Sequence, residues 1–207
     1  MVDNHFTLYV DSRFTSPFAL SVYVALQEKG LAFDTVTVDL AAAENVTGAL
    51  AERLPTRRVP TLVHDGFALA ESTAITEYLD ELFPQVPLYP ADPQSRARAR
   101  QVQAWLRSDL AALRQARPTE VIFRGERRGP LSADAQTAAT KLIAAAEALL
   151  PLGASHLFGQ WSLADVDLTV MLNRLVSHGD PVPERLRAYV LEQWQRPSVQ
   201  AWCALGA

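Results

Sequence analysis

The sequence predicts an α/β module followed by an all-helical bundle, and three observations carry that prediction. Residues 1–83 alternate strand-like and helix-like hydrophobic periods in the order β-α-β-α-β-β-α. A proline-rich stretch then follows, with four prolines in the ten positions 84–93, and no helix continues through such a run. Beyond it, residues 94–207 repeat helical periods with no strand signal of comparable strength. The chain therefore reads as a domain over 1–83, a linker over 84–93 and a second domain over 94–207.

Residues 6–10 (Phe-Thr-Leu-Tyr-Val) read as a buried strand. Ser16-Pro17 opens a helix and Lys29-Gly30 closes it: serine at the N-cap, proline at the first helical position, glycine just past the end. Residues 33–39 alternate with period two, as a strand does. A weaker helical stretch covers about 45–53. Val59-Pro60-Thr61-Leu62-Val63, the turn His64-Asp65-Gly66 and Phe67-Ala68-Leu69 make a hairpin. Residues 72–83 resume helical spacing, with Ile75, Tyr78, Leu79 and Leu82 on one face. In the second domain, Val102, Trp105, Leu106, Leu110 and Leu113 stripe one long helix, and 133–150 form another. From Ala164 to Val176 apolar residues cover most of the circumference, which marks a central buried helix. Ser162-Leu163-Ala164-Asp165 ahead of it fits a capping box.

Composition narrows the function classes. Of 207 residues, 49% are hydrophobic and 20% charged, an ordinary balance for a folded soluble protein. No apolar run approaches the roughly 20 residues that span a bilayer, and no secretory leader is legible, so a cytoplasmic protein without membrane partners is expected. A single cysteine, Cys203, permits no intrachain disulfide, and the four histidines never fall at zincin spacing, so no metal is expected. Charge is uneven: residues 1–82 hold 5 basic and 12 acidic side chains, net −7, and the remainder hold 14 and 11, net +3. Arg96, Arg98, Arg100, Arg127 and Arg128 lack interleaved aromatics and are read as a solvated surface, with no nucleic-acid partner.

Three places in the first domain invite chemistry. Ser16 stands where the first strand hands over to the first helix, and ligands of open α/β sheets favour such carboxyl ends beside free helix N–H groups. It either caps the helix or gives its hydroxyl proton to an anionic ligand atom. Val59-Pro60 enters a strand; a cis bond there would turn the Val59 N–H and C=O outward toward a peptide-like ligand. Glu71-Ser72 begins the last helix, where Ser72 either caps it or receives a carboxylate while Glu71 meets an ammonium. A carboxylate beside an anion-binding helix end suits an α-amino-acid head group.

In this order and spacing, these features resemble the cytosolic glutathione transferase superfamily over nearly the whole chain. The matching segments are Ser16-Pro17-Phe18, Arg58-Val59-Pro60-Thr61-Leu62, Glu71-Ser72-Thr73-Ala74-Ile75, the proline-rich linker, and Phe158-Gly159 with Ser162-Leu163-Ala164-Asp165. Arg96-Ala-Arg-Ala-Arg100, Ala104-Trp-Leu-Arg-Ser-Asp109 and Val182-Pro-Glu-Arg185 look like a serine-type bacterial branch, the YfcF-like proteins. The resemblance implies a thioredoxin-like N-terminal domain, an all-α C-terminal domain and a homodimer. It also implies that Val59 holds the cysteinyl part of glutathione, that Glu71 and Ser72 hold the γ-glutamyl head, and that Ser16 faces the sulfur. Arg58 or Arg57 would meet the glycyl carboxylate, and Trp105, Arg107 and Phe14 are candidates to line the second-substrate pocket. The implied activity directs the glutathione thiolate at an electrophile or an organic hydroperoxide. Glutathione-dependent disulfide reduction, or glutathione binding without turnover, are the alternatives. Tyr9 competes with Ser16, since other classes use a tyrosine near the end of the first strand. The Ser-Ser-x-Ser pattern of the isomerase type is incomplete here, with Ser12 and Ser16 separated by bulkier residues.

Overall fold

A computed structural model describes residues 5–47, 51–52 and 56–206. The chain divides into two compact units, one of residues 1–87 with 201–207 and one of residues 88–200.

The first unit is built on a four-stranded sheet: β1 (Phe6–Asp11), β2 (Phe33–Val38), β3 (Thr61–His64) and β4 (Phe67–Ala70). The spatial order is β2-β1-β3-β4, with β1 parallel to β2 and the other pairs antiparallel. Alternation along β1 buries Phe6, Leu8 and Val10 on one face, and α1 (Pro17–Glu28) supplies Leu20, Val22, Val24 and Leu26 as further core. The helix starts and stops where the capping pattern predicts, with Lys29 as C-cap and Gly30 at φ 64 just beyond. Lys29 also anchors that corner: its buried ammonium donates to Asp80 Oδ1 at 3.1 Å, to the Phe83 carbonyl at 2.8 Å and to the Val86 carbonyl at 2.7 Å. Asp80 belongs to α3 (Ser72–Leu82), which buries Ile75 and Leu79.

Three expectations shift. The helix read over 45–53 appears as α2 (Glu44–Thr47), and the rest of that stretch lies partly outside the described residues. The third strand begins at Thr61, two residues later than the hydrophobic run, because Val59 and Pro60 form its entry turn. Glu71 is the N-cap of α3 and Ser72 its first helical residue.

The second unit is helical: α4 (Pro93–Ser108), α5 (Ala111–Ala116), α6 (Glu120–Phe123), α7 (Ala133–Leu149), α8 (Leu163–His178) and α9 (Glu184–Trp194). The long helix expected through Leu113 breaks at Asp109-Leu110. Asp109 turns its carboxylate onto the Leu110 N–H (2.7 Å) and the Trp105 indole N–H (3.0 Å), and Leu110 takes φ 61. Such side-chain bonds to the backbone compete with helix propagation. Helix α8 is the buried centre, with Leu163, Val166, Leu168, Leu172 and Leu175 among its core residues. Asp165, fully buried, accepts from the Ser162 N–H (2.9 Å), the Ser162 hydroxyl (3.0 Å), the Leu157 N–H (2.8 Å) and the Tyr189 hydroxyl (2.9 Å). Burial, reinforced by that carboxylate, pushes the Tyr189 pKa well above the ordinary phenolic range.

Candidate functional site

Sheet register brings the predicted residues of the first unit to one end of the sheet. Thr61 pairs with Tyr9 on one side and with Ala70 on the other, and β3 runs antiparallel to both neighbours. The loop leaving β1, the Val59-Pro60 entry to β3 and the Glu71-Ser72 exit from β4 therefore share that end. Val38 closes β2 beside Asp11 at the same level.

The β1–α1 loop is organised by a residue that the sequence reading missed. Asp11, buried at the end of β1, accepts the Thr15 N–H at 2.8 Å, the Thr15 hydroxyl at 3.2 Å and the Ser16 N–H at 3.1 Å. The Asp11 carbonyl also accepts the Phe14 N–H at 3.0 Å, and an aspartate opening a turn is the one local signal that Asp11-Ser-Arg-Phe-Thr-Ser16 displays. Ser16 Oγ accepts the Ala19 N–H at 3.2 Å, so the capping role is real. A hydroxyl carries one proton and two lone pairs, and capping uses a lone pair only. Among the described residues no acceptor takes that proton, so capping and donation to a ligand are compatible. The half-buried Ser16 Oγ lies at the N-terminus of a twelve-residue helix whose dipole favours negative charge there.

Val59 is half-buried, its bond to Pro60 is cis, and it packs with Tyr9, Ala68 and Ala70 around Val38. Among the described residues its N–H and C=O enter no hydrogen bond. The Thr61 hydroxyl donates to the Arg58 carbonyl at 2.7 Å, tying the entry turn together. Arg57 and Arg58 are both exposed there. Glu71 holds φ 70, an uncommon conformation for a residue with a side chain, and its carbonyl accepts the Ile75 N–H at 3.0 Å. Its exposed carboxylate makes no ion pair among the described residues, whereas Ser72 beneath it is buried.

Tyr9 sits on the opposite pleat of β1 from Phe6 and Leu8, packed into the Val38 cluster. The remaining candidates are placed separately. Phe14 lies in the β1–α1 loop, while Trp105 and Arg107 lie on α4. Arg107 is committed to Asp167 at 3.0 Å and to the Gln103 carbonyl at 2.9 Å. Of the arginine series, Arg96 lies over the Tyr89 ring at 5.3 Å, Arg98 donates to Gln101 and Arg127 holds the His178 carbonyl at 2.6 Å. Burial pushes the Cys203 thiol pKa up, away from the range of a reactive thiolate. Among the described residues no group of His, Cys, Asp and Glu could hold a metal ion, and no helix is long and apolar enough to cross a membrane.

Residues 15–82 match the profile of the glutathione S-transferase N-terminal domain, and residues 92–207 match that of the C-terminal domain. The chain belongs to the glutathione S-transferase family. Its fold is accordingly a thioredoxin-like domain with a mixed four-stranded sheet, followed by a helical domain. Among solved structures, it is similar to a glutathione transferase homolog from Burkholderia gl BGR1 with bound glutathione. The two share 45% identity over 98% of each chain, with a TM-score of 0.82. A theta class glutathione S-transferase from Xanthomonas axonopodis pv. citri, also with glutathione bound, shares 25% identity over 96% of each chain at a TM-score of 0.75. Among curated relatives, a probable maleylacetoacetate isomerase from Caenorhabditis elegans is 38% identical over 51% of this chain and 49% of its own. Glutathione transferase GST 23 from Zea mays is 45% identical over 41% of this chain and 38% of its own. The chain thus spans about half or less of the curated relatives it matches.

Proposed function

We propose that the protein is a glutathione transferase in which Ser16 donates its hydroxyl proton to the sulfur of bound glutathione, which then attacks a small electrophile or an organic hydroperoxide. The observation that carries this reading is the Ser16 hydroxyl at the N-terminus of α1, its lone pair used by Ala19 and its proton unclaimed among the described residues. The similarity to a glutathione-bound homolog over almost the entire chain supports the choice of ligand. In this reading the cysteinyl main chain pairs with the Val59 N–H and C=O. Glu71 takes the γ-glutamyl ammonium, Ser72 and the α3 amides take its carboxylate, and Arg58 takes the glycyl carboxylate. In the same reading residues 1–83 are the glutathione-binding domain, 84–93 the linker and 94–207 the helical domain, in a homodimer of a cytoplasmic, serine-type bacterial branch.

A free thiol titrates near 8.5, so only a few per cent is thiolate at neutral pH. A hydrogen bond to a charged group contributes about 1.5–3 kcal/mol, and one pKa unit corresponds to about 1.4 kcal/mol. One hydroxyl aided by the helix dipole therefore lowers the bound thiol by roughly one to two units. In conjugation, the sulfur forms a bond to carbon, the leaving group departs with its electron pair, and the thiol proton goes to solvent. With a hydroperoxide, the sulfur attacks oxygen and the O–O bond breaks. The alkoxide takes a proton, and a second glutathione converts the sulfenic form to disulfide and water. Neither route uses Cys203.

The deciding experiment titrates the ultraviolet absorbance of the bound thiolate, then runs chloronitrobenzene, cumene hydroperoxide and a small disulfide with wild type, Ser16→Ala and Tyr9→Phe. A depressed thiol pKa that Ser16→Ala abolishes is the expected result. Full turnover in Ser16→Ala with loss in Tyr9→Phe would move the assignment to Tyr9. Binding without turnover on all three substrates would leave a glutathione-binding module.

A further inference from the structure

The loop carrying Ser16 is held by the far end of the chain. Phe14 occupies φ 51, a region sparsely populated by bulky residues, so its place depends on what packs against it. Trp202, on α10 (Pro197–Leu205), is fully buried and meets the Phe14 ring edge-on at 5.5 Å and 73°. The same indole meets Tyr23 of α1 at 5.4 Å and 62°. Phe14 precedes Ser16 by two residues and Tyr23 follows it by seven, so one side chain braces both flanks of the serine. Gly206 adds a second contact. A Cβ there would stand 3.3 Å from the Phe14 Cβ and 3.8 Å from the Arg13 carbonyl, the first closer than ordinary van der Waals approach. Gly206 is not at positive φ, so the contact exploits its size.

We infer that Trp202 and Gly206 are positioning residues for Ser16: by fixing Phe14 and Tyr23 they set the direction of the serine hydroxyl without touching the ligand. The inference rests on Ser16 acting as donor to the glutathione sulfur. Hydrogen bonds weaken steeply once the donor angle falls below about 120°. A small rotation of the loop therefore deprives the sulfur of its donor, while Val59 and Glu71 still hold the tripeptide.

The test compares wild type, Gly206→Val, Trp202→Leu, Ser16→Ala and the Ser16→Ala/Gly206→Val double variant. Each is measured for melting temperature, glutathione affinity by calorimetry and the pH titration of the bound thiolate. Gly206→Val is expected to raise the bound thiol pKa by about half to one unit, cutting the thiolate fraction at pH 7 by about 1.5-fold to eightfold from a wild-type value of about 6.5–7.5. Its glutathione affinity at pH 7 should fall by no more than about threefold, the loss that the shifted thiol pKa itself entails. Trp202→Leu should act in the same direction; if it fails to fold, Gly206→Val alone decides. In the Ser16→Ala background Gly206→Val should add nothing. An unchanged titration in Gly206→Val beside a shifted one in Ser16→Ala overturns the inference and leaves the role of Ser16 intact. No shift in Ser16→Ala removes both. A Gly206→Val shift that persists without the serine hydroxyl overturns the inference as stated.

Discussion

Asp11 accepts the main-chain N–H of Ser16 at 3.1 Å, so the residue that presents the hydroxyl is oriented by a buried carboxylate five positions earlier. Asp11→Asn keeps the shape but puts an amide N–H₂ where one oxygen accepted. At least one of the Thr15 and Ser16 donors then loses its partner. The expected outcome is a loss of about 2–4 kcal/mol in denaturant unfolding, because bonds to a charged group contribute about 1.5–3 kcal/mol and an orphaned buried donor costs about 1–3. The bound thiol pKa should rise in the same variant. A change below about 0.5 kcal/mol, within the range of inert surface substitutions, would contradict that role for Asp11.

Glu71 offers a cleaner separation of binding from folding, since its carboxylate is exposed and unpaired among the described residues. Glu71→Gln retains the backbone at φ 70 and removes only the charge. Glutathione affinity should fall about tenfold to a hundredfold, the equivalent of one charge-assisted hydrogen bond. Melting should be unchanged, and kcat at saturating glutathione nearly so. Calorimetric affinity equal to wild type would remove Glu71 from the site.

Lys29 is a buried cation compensated by Asp80 and two carbonyls, with 0% and 4% of the two side chains exposed. Lys29→Met removes the cation beside the buried Asp80 carboxylate and should cost about 3–5 kcal/mol. Adding Asp80→Leu should recover part of that loss, because an apolar pair of similar size often matches a buried ion pair. Equal stability of Lys29→Met and wild type in urea titration would show the knot to be dispensable.

Asp109 supplies a pH signature. Hydrogen bonds from Lys141, Leu110 and Trp105 hold its carboxyl at about 2, below the ordinary value of about 3.9. A folded-state value below the unfolded one gives stability that is present above about 4 and is lost as pH falls toward 2. Asp109→Asn should therefore melt lower than wild type at neutral pH. The gap should close as pH is lowered through that window. A gap that stays constant to pH 2 would assign the effect to something other than this titration.

Much of the first unit was legible because its signals are local. The Ser16-Pro17 start, the Lys29-Gly30 stop, the alternation in β1 and β2 and the His64-Asp65-Gly66 turn each act within a few residues. Of the site, the sequence offered Ser16, Val59, Glu71 and Ser72, and register alone explains why these distant segments share one end of the sheet. Asp11 was missed because its work is done by buried side-chain bonds, which hydrophobic periodicity does not report. The break at Leu110 was missed for a related reason: the apolar stripe runs on unchanged while Asp109 diverts the backbone. Trp202 and Gly206 were invisible because their partners lie nearly two hundred residues away.

The grouping of residues 201–207 with residues 1–87 makes the first unit discontinuous in the chain. On the ribosome, its strands and helices emerge first, yet the indole that fits between Phe14 and Tyr23 is synthesised after the entire second unit. Until then Tyr23 can rest against Phe33 of β2, its edge-on neighbour at 5.3 Å, but Phe14 lacks the indole that it meets in the folded chain, so the loop that bears Ser16 is completed only when the end of the chain arrives.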